Sequence, residues 1–318
     1  MLQFFKKYTL PIAMLTGIAS YFIYVNIHAL DSTHKFVGDA ISVVQPSLIF
    51  AMLFLAFCKV RPHDLKPHRW QLKLIATQAL AFTIMALPLI VWPEMPGRVV
   101  IESAMVCMIC PTATAASVVT SRLGGNASCV VSYTCVVNLV AALLIPAIVP
   151  LLHDHAAAPD STGIAAFVSA FTTIMGRVFP LLMMPLLLAL CVRYMAPRLH
   201  HWCMKISGVS FYLWAVALFI ALAVTTKAFM HSHESTLEYI GIAVVSAATC
   251  VLQFYLGRII GKRHDEPIAG AQSLGQKNTA FAIWMAYTFM NPITALAGGF
   301  YSIWHNVINS YQLLKAGK

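Results

Sequence analysis

The dominant feature of this sequence is a series of long apolar runs separated by short polar or Pro/Gly-rich breaks. A helix that crosses a bilayer needs about 20 mostly apolar residues. Ten runs are close to this length, and they lie near Leu10–His28, Ile41–Cys58, Leu72–Trp92, Val99–Thr120, Ala127–Leu152, Gly163–Val192, Ser207–Lys227, Leu237–Ile260, Gly270–Met290 and Ile293–Leu314. We therefore predict an all-α membrane protein with ten transmembrane helices.

The composition agrees with a lipid environment. Hydrophobic residues make up 59% of the 318-residue chain and charged residues only 10%, whereas a soluble domain carries about 25% charged residues. This difference excludes an ordinary cytosolic enzyme, a disordered chain and a nucleic-acid-binding protein. The lipid bilayer is the expected partner, and no nucleic acid is expected.

The basic residues indicate how the helices are oriented. If the N-terminus is cytoplasmic, sixteen of the 21 Lys and Arg residues fall on the inner side. Only Lys35, Arg98 and Lys227 fall on the outer side, and Arg177 and Lys277 lie within spans. Inner loops of membrane proteins are enriched in Lys and Arg. We predict a multi-pass cell-membrane protein with both termini in the cytoplasm, and the first span is interpreted as a retained helix.

Two interrupted spans suggest internal symmetry. The ten spans divide into two sets of five, residues 1–152 and 163–318, and an odd number per half gives the halves opposite orientations. The fourth span contains Pro111 followed by small residues, and the ninth contains Gly275 within a polar run. Paired interruptions in two inverted halves are typical of the central site of a transporter. A simple kink at Pro111 and a packing contact at Gly275 are the alternatives.

Charged residues within the spans suggest a positive interior. Lys277 lies several residues into the ninth span, where a central Lys costs about 2.5–3.5 kcal/mol on insertion scales. It faces a protein-lined cavity, or it reaches the cytoplasmic headgroups. Arg177 faces the same cavity, or it caps carbonyls freed by Pro180. Glu102 is expected at the surface near the outer end of the fourth span. A positive interior favours an anionic substrate.

No catalytic or metal-binding constellation is predicted. An intramembrane enzyme would require His305, Cys110 and Glu102 to converge, which their spacing does not support. Cys107 and Cys110 form a CxxC pair on an apolar helix with no second ligand pair nearby, so a packing role is expected. We predict neither a resident metal nor a cofactor.

Several motifs resemble those of the bile acid:sodium symporter family. The run 110–120 (CPTATAASVVT), with the SYT and LIP segments that follow, is similar to the family's fourth and fifth helices. The run 275–281 (GQKNTAF), the FMNP segment at 289–292 and the SIWHN segment at 302–306 are similar to its ninth and tenth helices. The similarity covers most of the chain.

The resemblance implies both an architecture and a substrate class. The expected fold has two inverted five-helix repeats and discontinuous fourth and ninth helices that cross at the midplane. Spans one, two, six and seven would form a panel domain, and spans three to five and eight to ten a core domain. Substrates would be organic anions, either bile-acid-like or small carboxylates. The predicted substrate-binding residues are Thr112, Thr114, Asn278, Thr279, His305 and Asn306.

The sodium-site positions depart from the family pattern. The expected Ser-Asn pair is replaced by Ala116 and Ser117, a Glu by Ser273 and a Gln by Lys277. An ammonium a few ångströms away would repel sodium, so Lys277 is predicted to occupy a sodium site. The predicted ion-site or coupling residues are Ser117, Ser132, Gln272, Ser273, Gln276 and Lys277.

These features together predict a secondary transporter of an organic anion that works by alternating access. Lys277 would make transport sodium-independent or couple it to protons. The alternatives are a sodium-coupled symporter of the same family and an arsenite-type anion exporter.

Overall fold

The computed structural model describes residues 2–60, 67–152, 162–232 and 234–317, without the side chains of 2–11, 28, 29 and 31. These residues form α-helices joined by turns and short 3-10 segments. The helices are α1 (Leu2–Asn26), α2 (His34–Phe57), α3 (Arg69–Val91), α4 (Arg98–Ile109), α5 (Ala116–Leu123), α6 (Ala127–Ile148), α7 (Gly163–Met195), α8 (Pro197–Lys205), α9 (Ser210–His231), α10 (Thr236–Lys262), α11 (Pro267–Gly275), α12 (Thr279–Phe289) and α13 (Ala295–Lys315).

Six helices within the described ranges are long and apolar enough to cross a membrane: α2, α3, α6, α7, α9 and α10. α1 and α12 carry shorter apolar stretches. The chain is therefore a multi-pass membrane protein. The main differences from the predicted boundaries are in α1, which begins eight residues before the predicted Leu10, and in α8, a short helix in the basic loop after the sixth span.

Both of the spans predicted to be interrupted consist of two shorter helices. In the fourth span α4 ends at Ile109 and α5 begins at Ala116. In the ninth span α11 ends at Gly275 and α12 begins at Thr279. Pro111 lies in the first gap, and its missing N–H cannot continue a helical hydrogen-bond ladder.

Close packing of glycines holds α11 against α10. A β-carbon at Gly257 would collide with the carbonyl oxygen of Gly270, and a β-carbon at Gly270 with that of Gly257. Gly261 lies one turn further along α10, in the small-xxx-small spacing that lets membrane helices approach closely. This contact fixes the position of α11, and with it the gap before α12.

Most helices pack in two sets, which are joined chiefly by the packing of α6 against α7. α1 packs against α9, and α2 packs against both α7 and α9. In the other set α10 packs against α4, α11 and α13, and α3 packs against α4. Arg193 at the end of α7 donates to the carbonyl of Val60 beyond α2. α2 and α7 therefore end at the same end of the bundle, and their first halves lie toward the opposite end.

Candidate functional site

The gaps in the two interrupted spans meet in the interior of the protein. Thr112 and Lys277 form an isolated antiparallel bridge. The Ala113 N–H donates to the Gln276 carbonyl at 2.9 Å, and the Asn278 N–H donates to the Pro111 carbonyl at 2.8 Å. We call the residues 110–115 and 276–278 the crossover. Pairing between the two gaps satisfies backbone groups that have no helical partner, which is required at membrane depth.

Side chains tie the crossover together further. The Thr112 hydroxyl donates to the Ser273 carbonyl at 2.6 Å, and the Cys110 thiol donates to the Asn278 carbonyl at 2.9 Å. The Asn278 side chain accepts from the Phe281 N–H at 3.2 Å and so caps the N-terminus of α12. An N-cap of this kind satisfies one of the free N–H groups at a helix start.

Lys277 is buried at the crossover and reaches neither headgroups nor open solvent. Its side chain is 1% exposed. The Nζ atom donates to Gln78 Oε1 at 2.8 Å and to the Met108 carbonyl at 3.2 Å. The ammonium therefore joins α3 and the end of α4 to the ninth span. Among the described residues, both oxygens that accept a hydrogen bond from the ammonium are neutral.

Two Gln–Tyr pairs flank the crossover. Gln78 of α3 donates to the Ile109 carbonyl at 2.9 Å and accepts from the Tyr133 hydroxyl of α6 at 3.2 Å. Gln253 of α10 donates to the Cys107 carbonyl at 3.2 Å and to the Tyr301 hydroxyl of α13 at 3.1 Å. These hydrogen bonds provide donors for carbonyl groups near the end of α4 that have no N–H partner within the helix.

The predicted substrate residues fall in two places. Thr112, Thr114, Asn278 and Thr279 lie at or beside the crossover, and of these only Thr114 is partly exposed. His305 and Asn306 lie on α13. His305 is buried with its ring edge-on to Tyr301 at 5.8 Å between centroids. The Asn306 amide donates to the Ser302 carbonyl of its own helix at 2.6 Å.

The predicted ion-site residues are also dispersed. Ser117 donates to the Thr114 carbonyl at 3.3 Å, and Ser132 donates to Gln71 Oε1 at 3.4 Å. The Gln272 amide donates to Asn309 and Gln312 of α13 at 3.0 and 2.9 Å. Ser273 lies just before the crossover and Gln276 lies within it, and each has a buried side-chain oxygen with no described partner.

A cavity of about 860 Å³ lies between α2, α7 and α9 on one side and α12 on the other. Its lining includes Arg177 of α7, Lys227 of α9 and Gln45 of α2. The α12 wall carries Trp284, Tyr287 and Thr288. No Asp or Glu belongs to the lining that the structure describes.

Arg177 lines this cavity but Lys277 does not, so the two residues do not share one cavity as the first predicted placement of Arg177 required. The guanidinium and the Lys227 ammonium are exposed. Neither forms an ion pair or a side-chain hydrogen bond with any described residue. None of the predicted substrate or ion-site residues lines the cavity. Cationic groups therefore occur in two separate settings, one at the crossover and one at the cavity.

Glu102 was expected at the surface, and this expectation was wrong. Its side chain is fully buried and pairs with Arg98 one turn earlier at 2.7 Å. Glu102 and Cys110 are separated by eight residues of α4, about 12 Å along the axis. A catalytic site made from Glu102, Cys110 and His305 is therefore excluded by geometry. Within the described ranges, no group of three His, Cys, Asp or Glu residues could hold a metal ion.

Sequence reasoning missed most of the cavity. Lys227 was placed at the outer end of the seventh span and was not connected with a cavity, and α9 continues one turn beyond it to His231. Gln45 was not singled out, although a polar residue directly before Pro46 within an apolar run was a visible signal; α2 continues through this position without a break. Trp284 and Tyr287 carried no signal, because aromatic residues are ordinary in membrane helices.

Comparison with known proteins gives a family. No curated protein matches the chain. A family model matches residues 29–298, most of the sequence, and the family it describes is the SBF-like CPA transporter family. The match spans both interrupted segments and every helix that lines the cavity. The chain belongs to the SBF-like CPA transporter family.

Proposed function

We propose that the protein is a secondary transporter that moves an organic anion across the cell membrane by alternating access. The observation that carries this proposal is a cavity lined by two cations that have no ion-pair partner among the described residues, with no described carboxylate, in a chain whose two broken helices pair at a crossover. Transporters bind their substrates near such broken helices, where irregular backbone is tolerated. A cavity with one sign of charge concentrates ions of the opposite sign.

The proposed architecture has ten spans in two inverted repeats, residues 1–152 and 163–318. The panel domain consists of α1, α2, α7 and α9, and the core domain consists of the other spans. The packing of α1 on α9 and of α2 on α7 and α9 supports this division, as does the packing of α10 on α4, α11 and α13, and α6 packs on α7 where the two domains meet. The cavity lies between the two domains, so rocking of the core against the panel would close it.

The proposed orientation places both termini in the cytoplasm. The excess of Lys and Arg in the loops on one side supports it. With this orientation, the first half of α2 and the last turns of α9 lie toward the outer side, and the cavity is reached from outside. Movement of the core would then pass the anion to the cytoplasmic side.

Lys277 is proposed to take the place of a sodium ion. Its ammonium lies within 3.2 Å of two neutral oxygens, Gln78 Oε1 and the Met108 carbonyl. A fixed positive charge there repels a mobile cation. Transport is then independent of sodium, and Lys277 either holds the crossover rigid or carries a driving proton. A sodium-coupled symporter is the competing outcome.

At the crossover, Thr114 and the N-terminus of α5 are proposed to contact the anion during transport. α5 has no side-chain cap, and Ala115 at its N-cap position is exposed. A helix N-terminus attracts anions through its free N–H groups. Asn278 is proposed as a second contact, which would require it to leave its capping bond to Phe281.

The test is uptake into proteoliposomes. Purified protein is reconstituted and supplied with labelled anions, namely a bile salt, a sulfated steroid, small carboxylates and arsenite. Gradients of sodium, of protons or of neither are compared, with protein-free liposomes as the control. Uptake of at least one organic anion without sodium is expected. Strong stimulation by sodium would contradict the role of Lys277, and uptake of arsenite alone would contradict the substrate class.

A further inference from the structure

The two cations of the cavity and Gln45 lie on helices other than α12, whereas α12 contributes aromatic rings and the hydroxyls of Tyr287 and Thr288. Arg177, Lys227 and Gln45 come from three helices, α7, α9 and α2, and together face α12. The facing wall contributes aromatic surface from Trp284 and Tyr287. The cavity therefore has a cationic side and an aromatic side, an asymmetry that suits a ligand with charged groups and an apolar body.

Gln45 gives an independent indication that a ligand accepts hydrogen bonds here. Its side chain is only 3% exposed, and its Nε2 has no hydrogen-bond partner among the described residues. A buried donor without a partner is costly, and buried polar groups in folded proteins nearly always have one. Nε2 is a pure donor, so the missing partner is an acceptor, as an anionic oxygen is.

The two cations indicate the charge of that ligand. Arg177 and Lys227 stand on different helices, and no described carboxylate lines the cavity to neutralise either one. A monoanion can neutralise only one of two positive charges. A second anionic group removes the remaining charge and forms its own charge-assisted hydrogen bonds.

The size and the aromatic wall indicate the body of the ligand. A volume of about 860 Å³ is within the range of sites that hold drug-sized organic molecules. Trp284 is buried and packs edge-on against Phe289 with 5.5 Å between ring centroids, so packing restricts its position. An aromatic surface held in this way is a suitable contact for an apolar or planar body.

We propose that the cavity selects organic dianions: Arg177 and Lys227 each bind one anionic group, Gln45 donates to one of them, and the apolar body lies on Trp284. The proposal rests on the proposed transport of organic anions and specifies their charge. It makes Arg177, Lys227 and Gln45 specificity-determining residues that are separate from the crossover.

Binding to the detergent-purified full-length protein tests this proposal by calorimetry. The probes are naphthalene disulfonate, naphthalene monosulfonate and naphthol, which share a body and differ in charge. We expect the disulfonate to bind about tenfold more tightly than the monosulfonate, as an added charge-assisted bond predicts. Naphthol should bind most weakly. Equal affinity for the three probes, or no binding of the disulfonate, would overturn the proposal.

Substitutions test which side chains bind the anionic groups of the ligand. R177Q and K227Q should each weaken disulfonate binding about tenfold, to the level of the monosulfonate, while R177K should retain most of the affinity. Q45L should weaken both sulfonates. K35Q removes a positive charge on α2 outside the cavity lining and should bind as the wild type does. An equal loss in K35Q, or no loss in R177Q and K227Q, would contradict the assignment.

Transport measured on the same preparations separates the two levels of the proposal. If the proteoliposomes take up organic anions but the three probes bind with equal affinity, only the proposed selection of dianions is wrong. If the protein binds the disulfonate selectively but transports no organic anion, the cavity assignment stands and the proposed transport function fails.

Discussion

The crossover and the cavity both place positive charge in an apolar part of the chain, but the cation at the crossover is buried and hydrogen-bonded, whereas the cations at the cavity are exposed. Lys277 is 1% exposed and donates to two oxygens, one on α3 and one on α4. Arg177 and Lys227 are exposed to a cavity and have no described ion-pair or hydrogen-bond partners. One cation is part of the packed interior, whereas the other two are open to a ligand.

The difference separates two roles for the same kind of charge. A buried cation survives in a low-dielectric interior only when protein groups solvate it, so its loss disturbs the fold. A cation facing a cavity is solvated by water or by a ligand, so its loss disturbs binding. Variants of the two regions should therefore differ most in whether stability or ligand affinity changes.

The largest effect is expected for Lys277→Met. This substitution leaves Gln78 Oε1 with the Tyr133 hydroxyl as its remaining donor and removes the Lys277 donor from the Met108 carbonyl, and an unsatisfied buried oxygen costs about 1–3 kcal/mol. We expect a clear fall in the thermal midpoint in detergent and loss of anion uptake. Lys227→Met is the matched control, since it removes a cavity cation and should unfold as the wild type does. Equal destabilisation of the two variants would contradict the claim that the crossover cation supports the fold and the cavity cation does not.

A somewhat smaller effect is expected for Gly270→Ala. The added β-carbon collides with the Gly257 carbonyl and pushes α11 away from α10, at a cost of about 1–3 kcal/mol for overpacking. Because α11 leads into the crossover, uptake should fall together with the thermal midpoint. Gly176→Ala is the control, because a β-carbon there meets nothing within 4 Å. A stable, active G270A protein would show that the position of α11 does not fix the crossover.

Tyr133→Phe should have a modest effect. It removes the hydroxyl that donates to Gln78 Oε1, which also receives Lys277. The loss of one such bond costs about 1 kcal/mol. The free energy of unfolding should fall by this amount, measured by denaturation in detergent. Tyr255→Phe alters an exposed residue of α10 and should leave stability unchanged.

The smallest effect on stability is expected for Gln45→Leu. Its Nε2 has no described partner, so the substitution breaks no hydrogen bond within the described chain. The thermal midpoint should stay the same or rise slightly. A marked fall would mean that Gln45 supports the fold, and the cavity would then no longer contrast with the crossover.

The positions of the broken helices could be predicted from the sequence because the causes are local. Pro111 removes a backbone donor, and the polar run around Gly275 interrupts an apolar span. The depth of Lys277 followed from its place within that span. Each of these signals lies within a few residues of its effect, so a linear pattern is enough to reveal it.

The partners of these residues could not be predicted, because they depend on long-range packing. Lys277 and Gln78 are 199 residues apart in sequence, and Gln253 and Tyr301 are 48 apart. Glu102 was expected at the surface because its position near a helix end gave no sign of the elements that cover it. Lys227 was placed at the outer end of a span, and nothing in the linear sequence showed that it shares a cavity with Arg177 of another helix.

The sodium dependence of anion uptake tests the central claim about Lys277 most directly. Wild-type and K277Q proteins are reconstituted side by side, and uptake of the anion found in the panel is measured with sodium or with choline outside. Uptake by the wild type should be equal in the two salts, and K277Q should lose uptake in choline or gain a response to sodium. Strong sodium stimulation of the wild type, or an identical ion profile in K277Q, would contradict the replacement of a sodium ion by Lys277.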